Sequence, residues 1–227
     1  MTAMTPSGMR DDETLDDLRA RLAPLIAANA GFDGWSMRAV DMAADQAGVD
    51  HGVAALAFKD GPLAMIAAWF GTIDAGMAAK LPPETLDAMK VRARITALIE
   101  ARLALLARHR EALRRAQAVL AMPQNVAKAA KLGWHAADVM WRASGDTAVD
   151  YNHYTKRATL GAVYAATLLT FVNDESEDWA DTKAFLARRI EDIMRFEKAK
   201  ARFRDQSDMH FSPARFLGRL RYRASQR

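Results

Sequence analysis

The 227-residue chain contains no cysteine, which excludes disulfides and thiolate metal sites. It has no H-E-x-x-H, no E-x-x-H spacing of the di-iron bundles, no G-x-S-x-G, no Gly-rich phosphate loop and no dinucleotide fingerprint. His51, His109, His135, His153 and His210 stand alone, and the carboxylates form no pair at the spacing that acid–base chemistry needs. The sequence therefore gives no support for an enzyme, a metal or a cofactor. Strand-like alternation is also missing. The longest uncharged apolar stretch, ATLGAVYAATLLTFV at 158–172, falls short of the ~20 residues that cross a bilayer. The opening residues, MTAMTPSGMRDDETLDD, hold no apolar run and are acidic early. The expectation is thus no secretory signal and no transit peptide, in a bacterial cytoplasmic protein peripherally associated with the inner membrane.

What is present is charge, unevenly placed. The formal net charge is +4. Residues 1–80 carry six Lys and Arg against eleven Asp and Glu, whereas 195–227 carry ten basic residues against three acidic. The basic character comes largely from the C-terminal end.

Helical periodicity runs through the rest, so the fold class is all-α. Leu15, Leu18, Leu22, Leu25 and Ile26 predict a helix over 14–30, stopped by Gly31 and Gly34. Ser36 caps a short helix through Ala47, Gly48 turns the chain, Asp50 caps the next, and KDGP stops it. A helix over 62–80 follows, broken by LPPE. Further helices are expected over 84–108, 109–122, 125–144, 152–172 and 177–204, with a last short one over 213–223. The expected domains are an N-terminal unit at 1–80, a helical domain at 81–204 and a basic C-terminal segment at 205–227.

Gly34, Ala43, Ala47-Gly48-Val49, Gly52, Phe58 and Lys59 resemble the helix-turn-helix of the TetR regulators, in which a helical ligand-binding domain follows. Ala55 and Ala57 stand where that family has phosphate-touching side chains. The recognition helix, DHGVAALAF, has no Arg or Lys before Lys59. DNA affinity rests on cations neutralising phosphates. No nucleic-acid partner is expected, and a nanomolar, sequence-specific gel shift at physiological salt would contradict this.

A second resemblance covers 134–194. Asp138, Trp141, Gly145-Asp146, Asp150, Tyr154, Arg157, Leu160 and Tyr164, then Asp178, Asp181-Thr182, Phe185-Leu186, Arg189, Ile190 and Met194, together with LAMPQN at 120–125, resemble the lipid-binding accessory proteins of ubiquinone biosynthesis. The resemblance implies a TetR-like fold without repressor function and a homodimer. It also implies an isoprenoid quinone or other lipid in the C-terminal helices, presented to the demethoxyubiquinone hydroxylase. Lys183 departs from the family, whose eukaryotic members commonly have Trp there on a partner-facing surface.

Read without the resemblance, Leu160, Tyr164, Leu168 and Phe171 form one stripe, with the small residues Gly161, Ala162, Ala165 and Ala166 between them. Trp134, Val139, Met140 and Trp141 before it, and Phe185, Leu186, Ile190 and Ile193 after it, are candidates to line the same space. By periodicity alone, such stripes read as ordinary core ahead of a lipid cavity. With the resemblance, these residues and Tyr154 become the expected lipid-binding set. Asp138, Asp146, Asp150 and Arg157 read as caps and buried pairs.

In MHFSPARFLGRLRYR at 209–223, Phe211, Phe216, Leu217 and Leu220 accompany Arg215, Arg219 and Arg223. That composition suits an anionic membrane surface, where each Arg contributes about 1 kcal/mol. Removing 209–227 is expected to abolish flotation with anionic vesicles and leave thermal stability nearly unchanged. Flotation of the truncated chain would contradict it.

The reading is a non-enzymatic accessory factor that binds a quinone precursor at a membrane and presents it to a hydroxylase. The alternatives are a TetR-type regulator with a hydrophobic inducer and a dimeric adaptor with a filled core.

Overall fold

The computed structural model describes residues 13–146 and 151–209. Among them there are ten α-helices and no strand. The compact units divide between Leu186 and Ala187 rather than near residue 80 or 204. The first unit holds α1 (Leu15–Asp33), α2 (Met37–Ala47), α3 (His51–Ala57), α4 (Pro62–Lys80), α5 (Pro83–Asp87), α6 (Val91–Leu106), α7 (Arg110–Leu120), α8 (Val126–Ala143), α9 (Tyr151–Val172) and the start of α10 (Ala180–Met209). In the second unit α10 continues as a helix, with Arg189–Asp192 and Arg195–Glu191 ion pairs along its own surface. The expected C-terminal helix and its membrane-binding residues Phe211, Arg215, Phe216, Leu217, Arg219, Leu220 and Arg223 lie outside the described residues, as does Asp150.

Caps set the N-terminal helices. Thr14 and Asp17 close a reciprocal capping box on α1. Ser36 accepts from the Ala39 amide and Asp50 from the Val53 amide. Such caps contribute about 1 kcal/mol each. Gly34, at φ 71°, is the true stop of α1. Gly31, expected to end that helix, lies inside it, packed 3.8 Å from Glu111 Cβ on α7 by the position its own Cβ would take.

The boundary at 80/81 is a turn between α4 and α5 within one unit. α1 packs against both α4 and α7. The Trp35 indole, 5.3 Å from that of Trp69, donates to the Ala112 carbonyl at 3.0 Å. The helix expected over 84–108 is two helices, separated at Lys90 by extended backbone. Arg94 holds the break, donating to the carbonyls of Asp87, Met89 and Ser144. α4 is long and apolar enough to cross a membrane by composition, yet Met65, Ile66, Trp69, Ile73 and Met77 are buried in the protein.

At the α9–α10 corner, Asp174 accepts from the amide and hydroxyl of both Ser176 and Thr182. Arg110 and Arg114 on α7 donate to the last carbonyls of α9. Asp178 and Trp179 both adopt φ 55°, a left-handed backbone that costs L-residues energy, and Trp179 meets Phe171 edge-on at 5.2 Å. Burial works against ionising Asp174, but the four hydrogen bonds outweigh it and hold the carboxyl far below its usual 3.8. The unfolded chain therefore takes up this proton first as pH falls. The stabilisation is complete above about pH 4 and is lost as pH drops through the folded value. Asp174→Ala is expected to lower stability by about 3 kcal/mol at pH 7. It should also flatten the acid limb of a melting-temperature profile; an unchanged profile would contradict this role.

Candidate lipid cleft

Four helices enclose an apolar cleft of about 270 Å³ in the first unit. α4 contributes Phe70, and α7 contributes Leu113, Gln117 and Leu120. α8 supplies Ala129, Leu132, Gly133 and Ala136, and α9 supplies Gly161, Tyr164, Ala165, Leu168 and Leu169. Leu113, Ala136, Tyr164 and Leu168 are buried, whereas Ala121, Ala165 and Leu169 at the rim are exposed. Small residues make the room. A Cβ on Gly161 would stand 3.3 Å from the Gly133 carbonyl oxygen, so α8 and α9 touch there through glycine. Alanines at 129, 136 and 165 leave the space beside that contact unfilled.

The foot of the α8–α9 pair is held by charge. Arg157, only 2% exposed, donates to Asp138 at 2.5 Å, and to Asp146 and the His153 carbonyl at 3.2 Å. Asp138 also pairs with Arg142, and Asp146 with Lys156. Burial opposes ionisation of both carboxyls, and these cations outweigh it, so both titrate below the ordinary value. The Trp141 indole donates to the Lys156 carbonyl at 3.0 Å. Pairing of Asp138, Asp146 and Arg157 is as the sequence predicts.

A second buried cation lies beside the cleft. Arg102 on α6 donates from Nε to the Tyr164 hydroxyl at 2.9 Å and pairs with Asp74 on α4. Its guanidinium carbon lies 4.9 Å from the centre of the Tyr164 ring. Burial disfavours the Arg102 charge, but Tyr164 and Asp74 outweigh it and raise the guanidinium above its ordinary value. The exposed His135 approaches Asp74 at 3.6 Å. Nothing in the sequence pattern signalled this network, because its members lie on four helices far apart in the chain.

Of the expected lipid-binding residues, Tyr164 and Leu168 line the cleft, with the small residues Gly161 and Ala165. Met140, Leu160, Phe171 and Leu186 are buried outside its lining. Trp134, Val139, Trp141 and Phe185 are half-buried and also outside it. Tyr154 is 62% exposed, where its ring packs on Trp134 at 6.0 Å, so it stands on the surface rather than in the cleft. Ile190 and Ile193 belong to the second unit. Phe70, Leu113 and Gln117 were missed because periodicity shows that a helix face is apolar, not which helix it meets.

On α3 the exposed side chains include His51 and Leu56. His51 bonds Asp45 at 2.7 Å, and that carboxylate raises its pKa. No histidine, cysteine, aspartate and glutamate group among the described residues is arranged to hold a metal ion.

Residues 126–197 match the COQ9 family model. The human ubiquinone biosynthesis protein COQ9 is 28% identical over 191 residues, 81% of this chain and 60% of its own length. The Drosophila melanogaster protein is 26% identical over 84% of this chain and 60% of its own. The rat protein is 40% identical over 96 residues, 42% of this chain and 31% of its own. The chain thus spans at most about 60% of the length of these relatives. All three are named as mitochondrial, which overturns the expectation of a bacterial cytoplasmic protein on the inner membrane. Among solved structures, a TetR transcriptional regulator from Nitrosomonas europaea superposes with a TM-score of 0.61 at 21% identity, covering 77% of this chain and 96% of that one. At that identity the likeness speaks to fold alone. The resemblance read in the sequence is borne out as similarity: residues 126–197 match the COQ9 family model, the described residues form an all-helical, TetR-like fold, and the matched segment supplies the α8 and α9 walls of the cleft.

Proposed function

We propose that this protein is a non-enzymatic accessory factor of ubiquinone biosynthesis. It binds an isoprenoid quinone precursor and delivers it to the hydroxylase that acts on demethoxyubiquinone. The observation that carries the reading is the apolar cleft between α4, α7, α8 and α9, nine of whose fourteen lining residues lie in the COQ9-matching segment. Each buried CH₂ of such a lipid gains about 0.8 kcal/mol by leaving water. A carrier must therefore offer an apolar surface to draw its cargo from a membrane, and a membrane surface is the second partner of this reading. A second copy of the chain is the third. The exposed side of α9, with Tyr154, Ala158, Ala162, Ala165 and Leu169, is apolar and supports that assignment.

Disrupting the gene in its native cells tests the role. The expected result is a fall in ubiquinone with accumulation of the demethoxy precursor, reversed by the intact chain. Unchanged quinone pools would overturn the proposal.

A further inference from the structure

The corner between α7 and α8 carries exposed apolar side chains among cations. Met122 and Val126, on either side of Pro123, Gln124 and Asn125, are 43% and 55% exposed. No Asp or Glu occurs from 112 to 137, a stretch whose formal charges are Arg114, Arg115, Lys128 and Lys131. Arg114 and Arg115 pair with Glu111, one turn back on α7. Lys128 and Lys131 are exposed and have no ion pair among the described residues. They share a groove with α4 in which Asp60 is the one carboxylate. Helical side chains tilt toward the helix N-terminus, so both lysines, in the first two turns of α8, lean toward the corner.

The backbone of the corner suits a poorly hydrated place. The Asn125 amide donates to the Met122 carbonyl at 2.8 Å, and the Asn125 side chain donates to the Val119 carbonyl at 2.8 Å. The Met122 amide reaches the Val119 carbonyl at 3.3 Å, and Pro123 has no N–H to satisfy. Unpaired backbone groups oppose transfer out of water, and these are paired within the turn. The corner also adjoins the cleft. Leu120 and Ala121, at the end of α7, and Ala129, in the first turn of α8, line it. None of these residues is on α9, whose exposed side is read above as facing a second copy.

Resting on the carrier reading above, we infer that the α7–α8 corner docks on an anionic bilayer, with Met122 and Val126 entering the lipid interface and Lys128 and Lys131 meeting its anionic headgroups. Exposed apolar side chains match the interface, and unpaired cations beside them match its charge. Docking there brings Leu120, Ala121 and Ala129 to the lipid, so a hydrocarbon tail passes between bilayer and cleft without crossing water. The corner is distinct from the basic residues of 209–223, and its contact adds to theirs.

Because the chain has no cysteine, one introduced thiol takes a dye at one place. Val126→Cys in the full chain carries a nitrobenzoxadiazole fluorophore, and Ala104→Cys, on an exposed face of α6, carries the same dye as the control. On vesicles of phosphatidylcholine with phosphatidylserine, the dye at position 126 is expected to brighten, shift to the blue and be quenched by brominated acyl chains. The dye at position 104 is expected to stay as it is in buffer, and vesicles of phosphatidylcholine alone should give little response at either place. Lys128→Gln together with Lys131→Gln is expected to weaken binding to the anionic vesicles about 30-fold, at about 1 kcal/mol per lysine. A melting temperature establishes that this variant is folded. Residues 209–227 are present in every sample, so attachment by that segment alone gives vesicle binding with an unchanged dye at position 126. That result, unchanged affinity of the double variant, or an equal response to neutral vesicles overturns the inference and leaves the carrier reading standing. A blue shift at position 126 that grows with protein concentration in the absence of vesicles makes the corner an interface between copies and also overturns it. No binding of the folded, intact chain to either vesicle overturns both readings.

Discussion

Arg157→Ala is expected to lower the melting temperature by about 10 °C. The side chain is buried and is the common partner of Asp138 on α8 and of Asp146 in the segment between α8 and α9. Removing one member of a buried ion pair leaves the others desolvated and uncompensated, at about 3–5 kcal/mol. For a chain of this size each kcal/mol corresponds to roughly 2–4 °C. Arg142 and Lys156 remain to compensate part of the charge, which places the effect toward the lower part of that range. Arg157→Lys keeps the charge but loses the forked geometry and should fall between the two. The cleft should suffer along with stability, because the same ion cluster helps to fix α9 against α8, which also meet at Gly133 and Gly161 beside the cleft. A thermal scan in which Arg157→Ala melts within 2 °C of the parent would show that the cluster does not carry the pairing.

Ala136→Phe is expected to reduce lipid affinity by about 100-fold or more while leaving the chain folded. Ala136 is buried in the cleft lining, and its side chain is a single methyl group. A phenyl ring there occupies space the ligand needs. Excluding about four carbons at ~0.8 kcal/mol each costs about 3 kcal/mol of binding. In a packed core the same substitution would strain its neighbours by about 1–3 kcal/mol, but here the void takes up the added volume. Ala104→Phe, on an exposed face of α6, is the matched control and should bind as the parent does. Unaltered binding by a folded Ala136→Phe would move the lipid site away from this cleft.

The sequence was informative where single residues impose backbone geometry. Ser36, Gly48, Asp50, Gly61 and Pro62 mark helix ends where the structure has them. It misled where tertiary contacts override local preference. Ala88, Met89 and Lys90 have nothing in them to stop a helix, yet the chain breaks there because Arg94 ties the carbonyls of Asp87 and Met89 to that of Ser144. Gly31 looks like a stop and instead lies within α1, facing α7. For the cleft, the stripe on α9 and its interleaved small residues were legible, and Tyr164, Leu168, Gly161 and Ala165 indeed line it. The α4 and α7 walls were not, since a stripe does not name its partner. Met140, Phe171 and Leu186 obey the same periodicity and fill core instead. The Arg102–Asp74–Tyr164 network was invisible for a related reason. Its residues come from three helices, and a lone arginine in a helical pattern reads as surface until its burial is seen.

In the proposed function the cleft holds an isoprenoid quinone or its precursor. The most direct measurement is mass spectrometry of an organic extract of the protein purified from its native cells without added lipid. The expected result is one isoprenoid quinone-type molecule at near-stoichiometric yield from the parent, and its absence from folded Ala136→Phe. A clean extract from the well-folded parent, or the same lipid at the same yield from Ala136→Phe, would contradict it.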